Sequence, residues 1–267
     1  MKTARKHVHR WDGESVRRIT DELAGEEPLE IRIDSRPVVV TMRTPGHDEE
    51  LAVGFLFTEG LIRSRDDFRA TRKNTRNRSG NSLDVFLSPD VAVDLKRLTR
   101  SGFVSSSCGV CGKESIRAVQ RRLKPVRSRL VVGAKMLAQL PEKMRAAQPT
   151  FERTGGLHAA GIFSREGELI VAREDIGRHN AVDKVIGFGL LHGLLPFDDR
   201  VLVVSGRASF EIMQKSLAAG LPLVAAVSAP SSLAVEFARS SRQTLVGFLR
   251  AERMNIYAGA SRVSLRN

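Results

Sequence analysis

The second half of the chain shows a regular succession of hydrophobic runs and helically spaced apolar positions. Continuous apolar runs at 201–204 and 223–227 are typical of strands that are covered on both faces. The wider pattern predicts a hairpin at 156–163 and 168–172, helices at 178–192, 207–219 and 231–240, and strands at 201–205, 222–228, 244–249 and 254–258. Because helices and strands alternate, residues 149–267 are predicted to form a three-layer α/β domain.

The preceding stretch has shorter and more mixed elements. Residues 29–33 alternate between apolar and polar, and an apolar run follows at 38–42 after a turn, which predicts a hairpin. Further predicted elements are a helix at 45–59, a strand at 82–87, a basic helix ending near 122, and a short helix that has Pro141 in its first turn and reaches 147. We predict a smaller α+β N-terminal domain over 26–148, with its boundary before Pro149.

Two basic segments show no apolar period. Residues 1–25 offer no pattern of positions to bury and are predicted to form a basic, flexible arm. Residues 63–80 are predicted to form a solvated loop, because charge runs usually have no specific partner.

The composition is that of a globular protein. Of 267 residues, 42% are hydrophobic and 27% are charged, which allows a real hydrophobic core and excludes wholesale disorder. Glycine, proline or charge interrupts every apolar run before it reaches the length of a membrane-spanning helix. The first residues are polar, unlike a signal peptide, so we expect a cytoplasmic location and no membrane insertion.

The charge balance favours anionic ligands. Lysine and arginine outnumber the acids 43 to 30, a net charge of +13. Most of these residues are arginine, whose planar guanidinium binds phosphate in a bidentate manner. A nucleic-acid-binding protein is one interpretation, but stacking rings are scarce, since Trp11 and Tyr257 are the only Trp and Tyr residues.

Two cysteines, Cys108 and Cys111, lie in a segment rich in serine and glycine. Hydroxyls and backbone N–H groups of such a loop can donate to a sulfur anion, and Lys113 and Arg117 would lower a thiol pKa. The setting offers little apolar packing for inert thiols. It therefore predicts a nucleophilic thiolate.

Three uses of that thiolate remain open from the residues alone. Dithiol redox chemistry usually places CxxC after a strand in a compact βαβ unit, whereas this motif lies between a basic loop and a long connector. A structural zinc site needs four ligands, and therefore a second chain or histidines from elsewhere. A persulfide carrier needs a thiolate that attacks an external persulfide as it would a disulfide, and this is the leading interpretation.

Polar residues at the first helix of the second half suggest an anion site. Arg178 and His179 could hold a phosphate at the helix start, and Asp175 and Asp183 could accept hydrogen bonds from a purine or pterin edge. The competing interpretation makes Asp175 an acid at the helix N-terminus, Gly177 a turn residue, and Asp183 with Lys184 part of a solvated face.

Two later strand ends carry similar residues. Ser205-Gly-Arg207 repeats the arrangement at the next strand-to-helix junction, and Arg250 and Arg253 could clamp a diphosphate. Since open α/β sheets bind ligands at the carboxyl ends of their strands, we expect a ligand site at that edge.

The chain resembles the formate dehydrogenase accessory sulfurtransferases, the FdhD family, in six segments: 44–50 (TPGHDEE), 57–60 (FTEG), 106–112 (SSCGVCG), 154–158 (TGGLH), 174–184 (EDIGRHNAVDK) and 205–209 (SGRAS). Members of that family take sulfur from a cysteine desulfurase as a cysteine persulfide. They pass it to the molybdenum bis(molybdopterin guanine dinucleotide) cofactor, which is then inserted into formate dehydrogenase.

The resemblance implies a sulfurtransferase in which Cys108 carries the persulfide and Cys111 assists transfer or resolves the persulfide. It implies cofactor binding by Phe248, Leu249, Arg250, Ala251, Glu252 and Arg253. It also implies a homodimer whose partners are a cysteine desulfurase and formate dehydrogenase. The guanine-nucleotide-containing cofactor would be a bound substrate, with no metal held directly by the protein.

The fold implied for the C-terminal domain is cytidine-deaminase-like, without the zinc signature of the deaminases. A zinc deaminase needs His/Cys-x-Glu at one helix start and Pro-Cys-x-x-Cys at the next, and the helices that begin near Gly177 and Gly206 contain no cysteine. A basic nucleic-acid-binding protein and a zinc-linked dimeric module are the alternative interpretations.

Overall fold

In the part of the chain that the structure describes, the N-terminal half is built around a small sheet and one α-helix. The computed structural model describes residues 2–73, 80–91, 123–251 and 253–265. The elements of the first two ranges are β1 (Thr3–Trp11), β2 (Val16–Ala24), β3 (Glu27–Ile33), β4 (Arg36–Arg43), α1 (Asp48–Thr58), β5 (Phe68–Lys73) and β6 (Ser82–Leu87). Strands β1 and β2 form a hairpin, and the other four form a sheet in the order β4-β3-β6-β5. Alternate residues of β3, such as Leu29 and Ile31, are buried with Leu51 of α1.

A six-stranded sheet forms the centre of the C-terminal half. The elements are β7 (Val132–Gly133), α2 (Ala134–Ala146), α3 (Pro149–Thr154), β8 (His158–Phe163), β9 (Leu169–Asp175), α4 (Arg178–Leu191), β10 (Val201–Val204), α5 (Phe210–Ala218), β11 (Leu223–Ala226), α6 (Ser232–Ser240), β12 (Thr244–Arg250), β13 (Arg253–Ala258) and β14 (Val263–Ser264). The sheet order is β13-β12-β11-β10-β8-β9, and β14 pairs with β7. Strands β10, β11 and β12 run parallel, while β8 and β13 are antiparallel to β10 and β12.

Helices cover both faces of this sheet. Leu202 and Val224 belong to a core shared with α4, α5 and α6. Their neighbours Val203 and Ala225 point the other way, into a core with Leu137 of α2. The predicted three-layer α/β arrangement is confirmed, beside a smaller α+β unit; the likeness to a deaminase domain stays a prediction.

Helices α1 and α4 connect the two halves. Leu190, near the end of α4, is buried in the N-terminal core, and Phe57 of α1 packs against the C-terminal core. Because each helix contributes to the core of the other half, the two halves are packed against each other.

The predicted arm at 1–25 is instead the β1–β2 hairpin. Val8 pairs with Ile19 in its register, and Asp12 in the turn accepts an N–H bond from Ser15 at 2.9 Å. The sequence did not reveal these strands because most of their side chains are exposed on both faces, so no alternation of buried positions is visible.

Two other segments differ from expectation. Helix α2 begins well before Pro141, because Leu137, Leu140 and Met144 bury one helical face and this packing outweighs the hydrogen bond that proline cannot make. The predicted loop at 63–80 includes strand β5, paired with β6. The cysteine segment and the helix predicted to end near 122 lie outside the described residues.

Candidate functional site

A pocket of about 680 Å³ opens at the carboxyl edge of the six-stranded sheet. Helices α2 and α3, the start of β8 and the ends of β10 and β11 supply its walls. Residues that define it are Met144, Arg145, Phe151, His158, Ser205 and Val227. A concave, mainly apolar lining with a few polar groups is typical of small-molecule sites, and the position is the one predicted for an open α/β sheet.

The outer wall of the pocket is held rigidly. The guanidinium of Arg145 lies 4.0 Å from the ring centroid of Phe151, a cation–π contact. The carboxylate of Glu174 accepts the backbone N–H groups of Thr150 at 3.1 Å and Phe151 at 2.6 Å, which fixes the start of α3 against β9. The segment 151–158 stands out in the sequence as a motif before a strand, but its contacts with Arg145 and Glu174 are not visible there.

The inner wall places His158 beside the junction of β10 and α5. Ser205 Oγ accepts the N–H of the residue after His158, at 2.8 Å. A Cβ at Gly206 would lie 3.2 Å from His158 Nδ1, so a larger residue there would crowd the His158 ring. Burial lowers the pKa of His158, and the charges of Arg178 and Arg207 lower it further. His158 therefore offers a neutral imidazole to the pocket at neutral pH.

Phe248 belongs to the same sheet edge. Its N–H donates to the carbonyl of Ser228 at 3.1 Å, one residue beyond Val227 of the pocket wall. Phe248 has φ of +51°, a left-handed conformation that costs a residue with a Cβ about 1–2 kcal/mol. The ring is 38% exposed. A strained, half-exposed aromatic residue at a sheet edge marks a candidate binding position.

The other residues of the predicted cofactor segment differ in how exposed they are. Arg250 and Arg253 are exposed and are cross-strand partners where β12 meets β13. Ala251 is exposed in the turn between them, while Leu249 is fully buried and can offer only its backbone to a ligand. Glu252 lies outside the described residues. Binding by this segment stays a prediction.

Asp175 is not available to a ligand. It is fully buried, its Oδ2 lies 2.7 Å from Lys184 Nζ, and it accepts the N–H of Thr44 at 3.2 Å and that of Gly177 at 2.8 Å. The interpretation of Asp175 as an acceptor for a purine or pterin edge is therefore wrong. The alternative role of Gly177 as a turn residue agrees with its position before α4.

Asp183 is buried as well, and both interpretations given for it are wrong. Its Oδ2 lies 2.9 Å from Lys215 Nζ, and Thr58 donates to its Oδ1 at 2.9 Å. Lys215 also pairs with Glu59 at 3.2 Å. Burial raises the pKa of Asp183 to about 6, against the opposing charge of Lys215. The FTEG and EDIGRHNAVDK segments thus meet in an internal charge network between the two halves.

His179 is held under the sheet edge and is not free for phosphate. Its Nε2 lies 3.2 Å from Ser209 Oγ, and its Nδ1 lies 3.2 Å from Glu211 Oε2. Burial lowers the pKa of His179 to about 3 and raises that of Glu211 to about 7. Of the anion-binding groups predicted at these two helix starts, half-buried Arg178 and exposed Arg207 remain accessible.

Comparison with known proteins agrees with this architecture and with the resemblance of the motifs. Residues 24–264 match the FdhD/NarQ family. The chain belongs to the FdhD/NarQ family. Two relatives named sulfur carrier protein FdhD, from Streptomyces avermitilis and Mycobacterium tuberculosis, are each 48% identical to it; the alignments cover 99% and 98% of this chain and 96% and 99% of theirs.

A solved structure shows the same fold. The crystal structure of a putative formate dehydrogenase accessory protein from Desulfotalea psychrophila superposes with a TM-score of 0.81 at 23% identity, covering 99% of this chain and 100% of that one. At that identity the similarity supports the fold, not the chemistry.

The sulfur chemistry predicted for this FdhD/NarQ family member rests on residues beyond the described ranges. Cys108 and Cys111 both lie in the segment 92–122, so their roles stay predictions. Within the part of the chain that the structure describes, no group of three His, Cys, Asp or Glu residues is arranged to hold a metal ion. No helix there is long and apolar enough to cross a membrane.

Proposed function

We propose that this protein is a sulfur carrier for formate dehydrogenase. It accepts sulfur from a cysteine desulfurase as a persulfide on Cys108 and transfers it to the molybdenum bis(molybdopterin guanine dinucleotide) cofactor, its substrate. The observation that carries the proposal is the 680 Å³ pocket beside Phe248 at the carboxyl edge of the sheet, in a chain of the FdhD/NarQ family.

The first step is a thiolate exchange that needs no redox cofactor. The Cys108 thiolate attacks the outer sulfur of the desulfurase persulfide, a new S–S bond forms, and the desulfurase cysteine leaves as a thiolate. In the second step the outer sulfur bonds to its acceptor, which supplies the electron pair, and Cys108 leaves as a thiolate. Lys113 and Arg117 favour the anionic form of the cysteine in both steps.

The pocket and the neighbouring end of β12 suit one nucleotide end of the substrate. Phe248 and the Arg145–Phe151 pair offer flat faces for a guanine ring. Exposed Arg250 and Arg253 lie opposite each other on β12 and β13 and can clamp a diphosphate in a bidentate manner. His158 is neutral, so its imidazole can form a hydrogen bond to the substrate without carrying a positive charge.

Mass spectrometry on the full-length protein tests the proposal. After incubation with a cysteine desulfurase and cysteine, the peptide that contains Cys108 should gain the mass of one sulfur atom. Cys108→Ala should abolish this gain, and Cys111→Ala shows whether the second cysteine assists or resolves. An unmodified peptide, together with normal formate dehydrogenase activity in cells that carry Cys108→Ala, would overturn the proposal.

A guanine nucleotide titration on the same sample tests the binding half of the proposal. GDP should bind with an affinity that falls when Arg250 or Arg253 is changed to alanine. Arg165→Ala is the matched control, since Arg165 is an exposed arginine in the β8–β9 turn. Sizing the same sample tests the predicted homodimer.

A further inference from the structure

A second pocket, of about 310 Å³, lies at the other end of the C-terminal domain. Leu195 and Pro196, which precede β10, and Ala218, at the end of α5, place it at the amino edge of the sheet, away from the candidate cofactor site. Its floor is apolar and consists of Phe57, Leu190, Leu195, Pro196, Ala218 and Ala219. The volume is at the lower end of ligand pockets, of order 300 Å³, and suits one or two apolar side chains.

Two arginines stand on the rim of this pocket in a preformed turn. The carboxylate of Asp67 accepts the backbone N–H groups of Arg63 at 2.6 Å and Ser64 at 3.3 Å. Arg65 donates to the carbonyl of Phe68 at 2.8 Å, and its guanidinium lies 5.0 Å from the centroid of the Phe68 ring. Arg65 is therefore oriented before any ligand arrives, which lowers the entropic cost of binding.

The side chain of Arg63 lines the mouth of this pocket. Arg63 is exposed, and within the described residues its side chain is assigned no hydrogen bond or ion pair. Two acids lie in the same turn. Asp66 is exposed, and the carboxylate of Asp67 accepts backbone N–H groups. Arg63 and Arg65 therefore both have N–H donors that can bind a ligand at the pocket mouth.

The positive surface continues along β5. Arg69, Arg72 and Lys73 are exposed on this strand, which lies at the edge of its sheet in the described part of the chain. On the other side of the pocket, Asp199 is paired with Arg200 at 2.5 Å, while Asp198 is exposed, so basic residues still outnumber acidic ones around the pocket. An apolar floor beside a surface with excess positive charge is complementary to an acidic segment that also carries an apolar side chain.

We propose that this pocket docks an acidic peptide segment of a partner protein. The segment inserts one large apolar side chain between Phe57 and Leu195 and places carboxylates against Arg63 and Arg65. Nucleic acid would match the positive charge of the rim but has no aliphatic side chain to fill the apolar floor. A lipid surface would need a flat protein face, and this site is a pocket. The proposal is independent of the sulfur carrier function, because none of these residues touches the candidate cofactor site.

Peptide selection on the full-length protein provides the test. Random-sequence peptides displayed on phage are selected on the protein and counter-selected on Ala218→Phe, a variant designed to fill the floor without adding charge. Selected peptides are synthesised and their affinities measured by fluorescence anisotropy. We expect acidic peptides with a large apolar residue, bound about tenfold more weakly by Ala218→Phe, which corresponds to one core contact of about 1.4 kcal/mol.

The rim is tested with matched arginine variants. Arg63→Ala should weaken binding of the selected peptide about threefold, as expected for an exposed charge pair, and the effect should shrink as salt is raised. Arg165→Ala, a change of the same kind at an exposed position outside the pocket lining, should leave the affinity unchanged. A thermal unfolding measurement on each variant shows that it is folded.

Several results would overturn the proposal. These are failure to select any peptide, selected peptides without acidic residues, and equal affinities for wild type and folded Ala218→Phe. Pocket-dependent binding of single-stranded RNA or of anionic phospholipid vesicles instead of peptide, and cross-links from the pocket to another segment of the same chain, would do so as well. Persulfide formation on Cys108 should be unchanged in Ala218→Phe, which separates this test from that of the sulfur carrier function.

Discussion

Gly54 of α1 and Gly187 of α4 face each other where the two helices cross, and a Cβ on either residue would lie 2.9 Å from the backbone nitrogen of the other. The same region is locked by Arg173 on β9, which donates to both carboxylate oxygens of Glu50 at 2.6 and 2.7 Å. The N-terminal half is therefore held against the C-terminal domain by backbone contact and by a bidentate ion pair.

Substituting either glycine at this crossing should destabilise the whole protein. In Gly54→Ala and Gly187→Ala the added methyl group meets backbone, which cannot rotate away, so the helices must separate. We expect the free energy of unfolding in urea to fall by about 3 kcal/mol, the upper end for overpacking.

Gly133→Ala is the matched control, because a Cβ there meets no atom within 4 Å. It should change the free energy of unfolding by less than about 0.5 kcal/mol. Equal stabilities of Gly54→Ala and Gly133→Ala would contradict the close helix crossing.

Phe248 allows backbone strain to be separated from ring contacts. Phe248→Ala and Phe248→Gly both remove the ring, but only glycine relieves the positive φ of +51°. The glycine variant should therefore be more stable than the alanine variant by about 1 kcal/mol in urea unfolding.

If the ring of Phe248 stacks on guanine, both variants should bind GDP about tenfold more weakly, consistent with about 1–3 kcal/mol per stacked base. Retained GDP affinity in both variants would remove Phe248 from the binding site while leaving the strain argument intact.

The C-terminal sheet could be predicted from the sequence because burial on both faces of its strands produces its hydrophobic pattern. Strands such as β10 and β11 are buried on both faces, so their residues are continuously apolar, and a ligand edge follows from the parallel strand order. The partner of Asp183 could not be predicted, because Lys215 is distant in sequence and charged residues are usually exposed. The strain at Phe248 was equally hidden, since phenylalanine does not indicate a left-handed backbone.

Glu211 should make stability depend on pH. Burial raises its pKa from an ordinary value of 4.5 to about 7, so the folded protein binds this proton more tightly than the unfolded chain does. The associated stability is present below pH 4.5 and is lost as pH rises through 7, a loss of about 3 kcal/mol. Glutamine does not titrate. The free energy of unfolding of Glu211→Gln, minus that of wild type, should therefore increase by about 3 kcal/mol as pH rises from 4.5 to 7.

Chemical denaturation at several pH values measures that difference. The control is Glu236→Gln, a substitution of the same kind at an exposed position on α6, for which the difference from wild type should stay constant. A constant difference for Glu211→Gln would mean that the carboxyl group of Glu211 is not held protonated in the folded state.

Filling the larger pocket should separate nucleotide binding from sulfur loading. Val227 is half-buried in the pocket wall, and Val227→Trp would occupy space needed by a guanine ring. GDP affinity measured by calorimetry should fall by about tenfold or more, while the desulfurase-dependent mass gain on Cys108 should persist, because loading needs only the thiolate.

Val131→Trp makes the same change at a position that is 48% exposed and outside the pocket, so it should alter neither quantity. Unchanged GDP affinity in a folded Val227→Trp protein would place the nucleotide elsewhere, and loss of both activities would mean that the pocket and the cysteine segment act as one site.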